Sequence, residues 1–198
     1  LMCGIVGYIG PRDAYNEVWR GLIDLEYRGY DSCGIALLNE LSSDFEVFKR
    51  LGPPSENLAK TAASRSSKLA LGHTRWATHG IVNLINTHPH ESRDGKFQLV
   101  HNGIIENYSK IKIKLEKKGY KFKSETDTEA LVHLISYYYD ESNSLEVALS
   151  EALPLIDGTE RGILYIILLC LIHSKNFSVL HPFNYFAYTL FKGIIWIP

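Results

Sequence analysis

The sequence predicts an α+β fold in which mixed or antiparallel sheets are covered by helices. Segments of strand character alternate with amphipathic segments of helical period, so layers of both kinds are required. Several strand segments also follow one another without the long crossover that a parallel pair needs, which argues against a doubly wound sheet. The early "GYIG" is not a phosphate loop, because the spaced glycines and the following lysine are missing.

The elements follow in order. "CGIVGYI" reads as a buried strand, with Gly4 and Gly7 permitting close backbone approach. From Asp13 to about Tyr27, Ala14, Val18, Leu22 and Leu25 recur at helical spacing, and "RG" closes the element. "CGIALL" and "FEVFKR" form a strand pair turned by the polar "NELSSD". A short helix near "SENLAKTAAS" leads into "KLALGHTRWATHG", a strand running into a loop. "KFQLVHNG" is a strand with a polar tip, and "ENYSKIKIKLEKKG" an amphipathic helix stopped by Gly119. In "SETDTEALVHLISYYYDE", Thr126 and Glu129 stand at capping-box spacing and open a helix. "SLEVALSEALP" is a further helix, ended by Pro154.

Bulk properties narrow the function class. At 198 residues, with 45% hydrophobic and 22% charged residues, the chain is an ordinary globular one with room for a substantial core. A formal net charge of -1 gives no electrostatic case for nucleic acid or an anionic membrane. Three scattered cysteines, Cys3, Cys33 and Cys170, do not make a disulfide framework and fit a reducing cytoplasm. The start of the chain lacks the features of a signal peptide, and nothing before residue 158 approaches the ~18 apolar residues of a membrane span.

Four stretches combine glycine, charge and hydrogen-bonding groups beyond what a core needs: "LEYRGYDSCG", "GHTRWATHG", "HNGIIEN" and "SETDTE". Each lies where a strand ends or a helix begins, the usual place for a site. His73, His79, His88, His90 and His101 raise the question of zinc, but no H-x-x-x-H helix and no C-x-x-C pair accompany them, and no metal is expected. A serine triad has little support without a G-x-S-x-G elbow.

Cys3 has two readings. It is either a small buried hydrophobe opening a strand, or a nucleophile whose base is its own backbone amine. A terminal α-amine titrates at about 7.7–8.0 and can take the thiol proton without a histidine. Attack on an amide then makes an oxyanion that needs preorganised donors. The Asn102 side-chain amide and the Gly103 N–H can supply them. Arg75 offers a fork for a carboxylate and Asp127 a counter-charge for an ammonium group, although Asp127 could equally cap its helix. Together these parts describe hydrolysis of a side-chain amide on a free amino acid, with no cofactor.

"CGIVGYIG", "LEYRGYDSCG", "GHTRWATHG", "NTHPH", "HNGIIENY" and "SETDTE", in this order, closely resemble the class II glutamine amidotransferases, in the branch that serves fructose-6-phosphate aminotransferases. "YRGYDS" and "TRWATHG" select that branch over the purine-pathway phosphoribosyl one. The resemblance runs from Cys3 to about Gly158 and implies the N-terminal-nucleophile hydrolase fold, a four-layer αββα sandwich of mainly antiparallel sheets. It implies Cys3 as nucleophile and Asn102 and Gly103 as the oxyanion hole. Arg75, Thr78 and His79 would hold the glutamine α-carboxylate, Asp127 would receive the α-amine, and the Trp76 backbone would lie against the side-chain amide. Arg28 and Gly29 would flank the nucleophile. Cys33 stands where the family has alanine.

The resemblance further implies a glutaminase that passes ammonia to fructose 6-phosphate in a larger, homo-oligomeric enzyme with sugar-phosphate isomerase domains, which are not expected within this sequence. Leu1 and Met2 precede the nucleophile, so the amine chemistry requires their removal. Residues 159–198 are aromatic-rich, nearly uncharged and unlike the family pattern, and are expected to be a diverged or truncated remainder of the domain. Two rival readings stand beside this one: a related amidotransferase with another acceptor, and a catalytically silent glutamine-binding module.

Overall fold

A computed structural model describes residues 3–39, 42, 44–57, 67–77, 81–158 and 194–197, with the backbone alone for the last four. The described residues fall into two compact units, one running up to Pro89 and taking in 194–197, the other from His90 onward.

The first unit is built on a five-stranded sheet. Its strands are β1 (Gly4–Ile9), β2 (Ser32–Leu38), β3 (Phe45–Leu51), β4 (Leu69–Arg75) and a strand at Ile194–Ile197. The order is β3-β2-β4-β1 followed by Ile194–Ile197, and every neighbouring pair is antiparallel. The expected β2–β3 pair forms in the register Ser32 opposite Leu51 through Leu38 opposite Phe45. β4, buried at every residue, is the central strand, facing β2 on one side and β1 on the other.

Helix α1 (Ala14–Asp24) packs on this sheet through the predicted Ala14, Val18 and Leu22, which share a core with Val6, Tyr8, Ile35 and Leu37. The Asp13 side chain caps the helix, accepting from Asn16 N–H at 3.2 Å. The helix ends at Asp24, earlier than the sequence suggests, and the chain tightens into a 3₁₀ turn at Glu26–Arg28. Two contacts hold that turn. The Glu26 carboxylate accepts from the backbone N–H and the hydroxyl of Ser55, at 2.9 and 3.0 Å. Gly29, just after it, lies against the end of β4, where a Cβ would stand 2.7 Å from the Arg75 carbonyl carbon. Ser55 belongs to α2 (Pro54–Asn57); the rest of the helix expected at "SENLAKTAAS" lies outside the described residues.

In the second unit β5 (His90–Glu91) and β6 (Gln98–Leu99) form a two-stranded antiparallel ladder. Three helices accompany it: α3 (Tyr108–Glu116), α4 (Asp127–Ser142) and α5 (Leu145–Ala152). Their core joins Phe97 and Leu99 to Ile111, Leu115, Leu131, Leu134, Ile135, Leu145 and Ala148. A fully buried leucine or isoleucine of this kind contributes about 1.5–3 kcal/mol. The strand expected over "KFQLVHNG" is shorter than the sequence suggests: the ladder ends with Leu99 opposite His90. α4 opens at Thr126, whose hydroxyl accepts from Glu129 N–H at 3.4 Å. The Glu129 carboxylate does not return to Thr126. It accepts instead from Lys123 N–H, Ser124 N–H and the Ser124 hydroxyl, at 2.8, 2.6 and 2.7 Å.

The α+β class with antiparallel sheets is therefore as the sequence predicts. Within the stretch 159–198, residues 194–197 pair with β1, Ile5 opposite Ile197 through Tyr8 opposite Ile194. The remainder of that stretch lies outside the described residues. Among the described residues, no helix is long and apolar enough to cross a membrane.

Candidate active site

The antiparallel register brings the start of β1, the end of β4 and the start of β2 to one end of the first sheet. Gly4 faces Thr74 across one ladder, and Ser32 faces Arg75 across the other. Cys3, one residue before β1, is thereby carried to Trp76, one residue beyond β4. The Trp76 backbone N–H donates to Cys3 Sγ at 3.2 Å, and the thiol donates back to the Trp76 carbonyl at 3.7 Å. The Thr74 hydroxyl accepts from Gly4 N–H at 3.0 Å and so fixes the backbone directly after the cysteine.

Burial pushes the Cys3 thiol above its ordinary value of 9.0. The Trp76 amide and the Arg75 charge oppose the rise, and the Asp31 charge adds to it. A thiol held this high is protonated at neutral pH, so nucleophilic attack requires a base to take its proton. Arg75 is buried, with 7% exposure, and burial lowers its affinity for a proton while Cys3 and Asp31 raise it. Its planar fork suits a carboxylate. Asp31 closes the arrangement: its N–H donates to the Arg75 carbonyl at 3.1 Å, and its carboxylate accepts from Ala77 N–H at 2.8 Å.

In the second unit the stretch 101–107 is held through its last three residues. Ile105 N–H donates to Asp127 Oδ2 at 2.8 Å, tying the loop to the first turn of α4. Farther along, Glu106 N–H donates to the Asp157 carbonyl at 2.7 Å. Asn107 donates to the Leu155 carbonyl and accepts from Asp157 N–H, at 2.8 and 3.1 Å. Just ahead of these anchors Gly103 adopts φ 151°, in the region that favours glycine. Asn102 beside it is partly exposed. His101 is buried, with Nδ1 3.4 Å from the Thr128 hydroxyl, and burial lowers its pKa against the pull of Asp127.

The residues singled out from the sequence thus form two groups. Cys3, Arg75, Trp76 and Gly29 meet at the end of the first sheet. Arg28 lies in the adjoining turn, its guanidinium over the Tyr27 ring at 5.7 Å. Asn102, Gly103 and Asp127 are linked through the 101–107 loop and the start of α4. Thr78 and His79 lie outside the described residues. The Trp76 ring stands edge-on to Tyr30 at 5.1 Å, while its backbone serves the cysteine. The sequence reading did not single out Asp31 or Thr74, or the grip of the Trp76 amide on the thiol. Asp31 sits inside the "YRGYDS" turn, which was its only local signal.

Three comparisons bear on this arrangement. A family model described as "Glutamine amidotransferase domain" matches residues 40–144. The chain is 48% identical over 160 residues to the glutamine–fructose-6-phosphate aminotransferase [isomerizing] of Staphylococcus aureus, covering 80% of this chain and 26% of that protein. It is 49% identical over 159 residues to the Bacteroides thetaiotaomicron protein of the same name, covering 77% and 26%. The solved structure of glutamine phosphoribosylpyrophosphate amidotransferase from B. subtilis, complexed with ADP and GMP, matches with a TM-score of 0.65 and 28% identity. That match covers 79% of this chain and 33% of that one. The chain thus spans about a quarter of the length of the aminotransferases it resembles.

Proposed function

Since the chain belongs to the glutamine amidotransferase domain family, we propose that it hydrolyses L-glutamine to glutamate and ammonia through a thioester on Cys3. The observation that carries this reading is the placement of the Cys3 thiol on the Trp76 N–H beside the buried Arg75. A packing cysteine has no need of that donor. The proton leaves the thiol for the α-amine of Cys3, and sulfur attacks the side-chain amide carbon. The resulting oxyanion takes hydrogen bonds from the Asn102 amide and Gly103 N–H. As the tetrahedral adduct collapses, the carbon–nitrogen bond breaks and the ammonium proton passes to the departing nitrogen, releasing ammonia. Water, activated by the same amine, then cleaves the thioester to glutamate and restores the thiol.

Arg75, with Thr78 and His79, binds the α-carboxylate, and Asp127 binds the α-amine. Arg28 and Gly29 shape the turn beside the nucleophile. The names of the aminotransferase relatives support fructose 6-phosphate as the acceptor of the ammonia. In this reading the product is glucosamine 6-phosphate, made by a longer, homo-oligomeric protein of the cytoplasm. The test is a glutaminase assay on protein whose Cys3 amine is free, alongside Cys3→Ala. Glutamate release by the first and none by the second is expected. Equal release by both contradicts the reading.

A further inference from the structure

We propose that Asp31 is a positioning residue for the nucleophile: its carboxylate fixes the Ala77 amide and so aims the adjoining Trp76 N–H at the Cys3 sulfur. The proposal rests on Cys3 being the reacting group. Three hydrogen bonds place Asp31 on the strand-to-loop junction. Its N–H donates to the Arg75 carbonyl at 3.1 Å, its carbonyl accepts from Gly52 N–H at 2.9 Å, and its Oδ2 accepts from Ala77 N–H at 2.8 Å. The first two belong to the backbone and survive replacement of the side chain by asparagine or alanine. Only the third depends on the side chain.

Trp76 lies between two residues that Asp31 holds, Arg75 through its carbonyl and Ala77 through its amide. With both ends fixed, the Trp76 peptide has little freedom to turn, and its N–H stays 3.2 Å from Cys3 Sγ. Without the Ala77 bond, the chain beyond β4 is held at one end alone. The donor then swings away, and the thiolate loses a hydrogen bond that favours its charged form. Asp31 also acts on Cys3 by charge, and this effect has the opposite sign, because a nearby carboxylate disfavours a thiolate. The charged groups that bear on Cys3 are thus Arg75 and the N-terminal amine of the chain, which help the thiolate, and Asp31, which opposes it.

The two effects separate by substitution. Asp31→Asn removes the charge and keeps an oxygen that accepts from Ala77. Asp31→Ala removes both. Cys3 alkylation by iodoacetamide, followed against pH by site-resolved mass spectrometry on the full chain, reports the thiolate without requiring turnover. A role in positioning places the midpoint of Asp31→Asn below wild type, and that of Asp31→Ala above Asp31→Asn by about one pH unit. Glutaminase kcat should be about tenfold lower in Asp31→Ala than in Asp31→Asn, with KM little changed. Coincident midpoints and rates in the two variants would overturn the proposal, because charge alone would then account for Asp31. Amide hydrogen exchange on the wild type gives a second check that no misfolded variant can spoil: Ala77 N–H should be protected, and free exchange there overturns the proposal. Glutaminase activity persisting in Cys3→Ala would refute the assignment of the nucleophile, while the alkylation midpoints would still decide what Asp31 does.

Discussion

Replacing Glu129 with glutamine should destabilise the fold in a pH-dependent way whose size follows from the structure. Glu129 is 4% exposed and accepts three hydrogen bonds, from Lys123 N–H, Ser124 N–H and the Ser124 hydroxyl. His133 Nε2 stands 3.6 Å from its Oε1. Burial pushes the carboxyl up, but His133 and these donors prevail and hold it at about 2, against an ordinary 4.5. That depression corresponds to about 3 kcal/mol of stability at neutral pH. The contribution is full above the ordinary value and is lost as pH falls toward the depressed one, so at pH 3 less than half should remain. Glutamine keeps one acceptor oxygen but turns an NH₂ group toward donors. The assay is urea unfolding of wild type and Glu129→Gln at pH 7 and pH 3. A loss of about 3 kcal/mol at pH 7 that shrinks at pH 3 is expected. An equal loss at both values, or one below about 1 kcal/mol at pH 7, would refute the reasoning. The consequence reaches function because Asp127, in the same first turn of α4, holds the 101–107 loop.

Two further outcomes concern the roles assigned to individual residues. Asn102→Ala should lower glutaminase kcat by about 10²–10³ while changing glutamine binding little, since an oxyanion donor acts in the transition state; steady-state kinetics decide it, and a normal kcat with weakened binding would show a different role. Arg75→Lys keeps the charge but loses the planar fork, so glutamine should bind more weakly. Analogues lacking the α-carboxylate should distinguish wild type from this variant much less than glutamine does, and unchanged discrimination would remove Arg75 from carboxylate recognition.

What could be read in the sequence was local. The apolar period of α1 was legible, as were the Thr126 cap of α4 and the β2–β3 pair, because each depends on residues a few positions apart. The contacts that make the site are not of that kind. Trp76 meets Cys3 across 73 positions and Asp31 meets Ala77 across 46, and only strand register brings them together. The same limit explains Glu129. Its spacing from Thr126 fits a capping box, yet the carboxylate finds better donors at Lys123 and Ser124, where the chain bends back before the helix. The shortened β6 and early end of α1 have a similar origin. Both are set by distant partners: Asp127 and Asp157 for the loop after β6, Ser55 and Arg75 for the turn after α1.

The most direct test of the central claim is to trap the acyl intermediate. Protein with a free Cys3 amine is mixed with glutamine, quenched in acid within the first turnovers, and mapped by mass spectrometry. A single γ-glutamyl group on Cys3, lost on treatment with hydroxylamine and absent from Cys3→Ala, is the result this account predicts. Glutamate production in which Cys3 never carries that group, or in which another residue does, would contradict it.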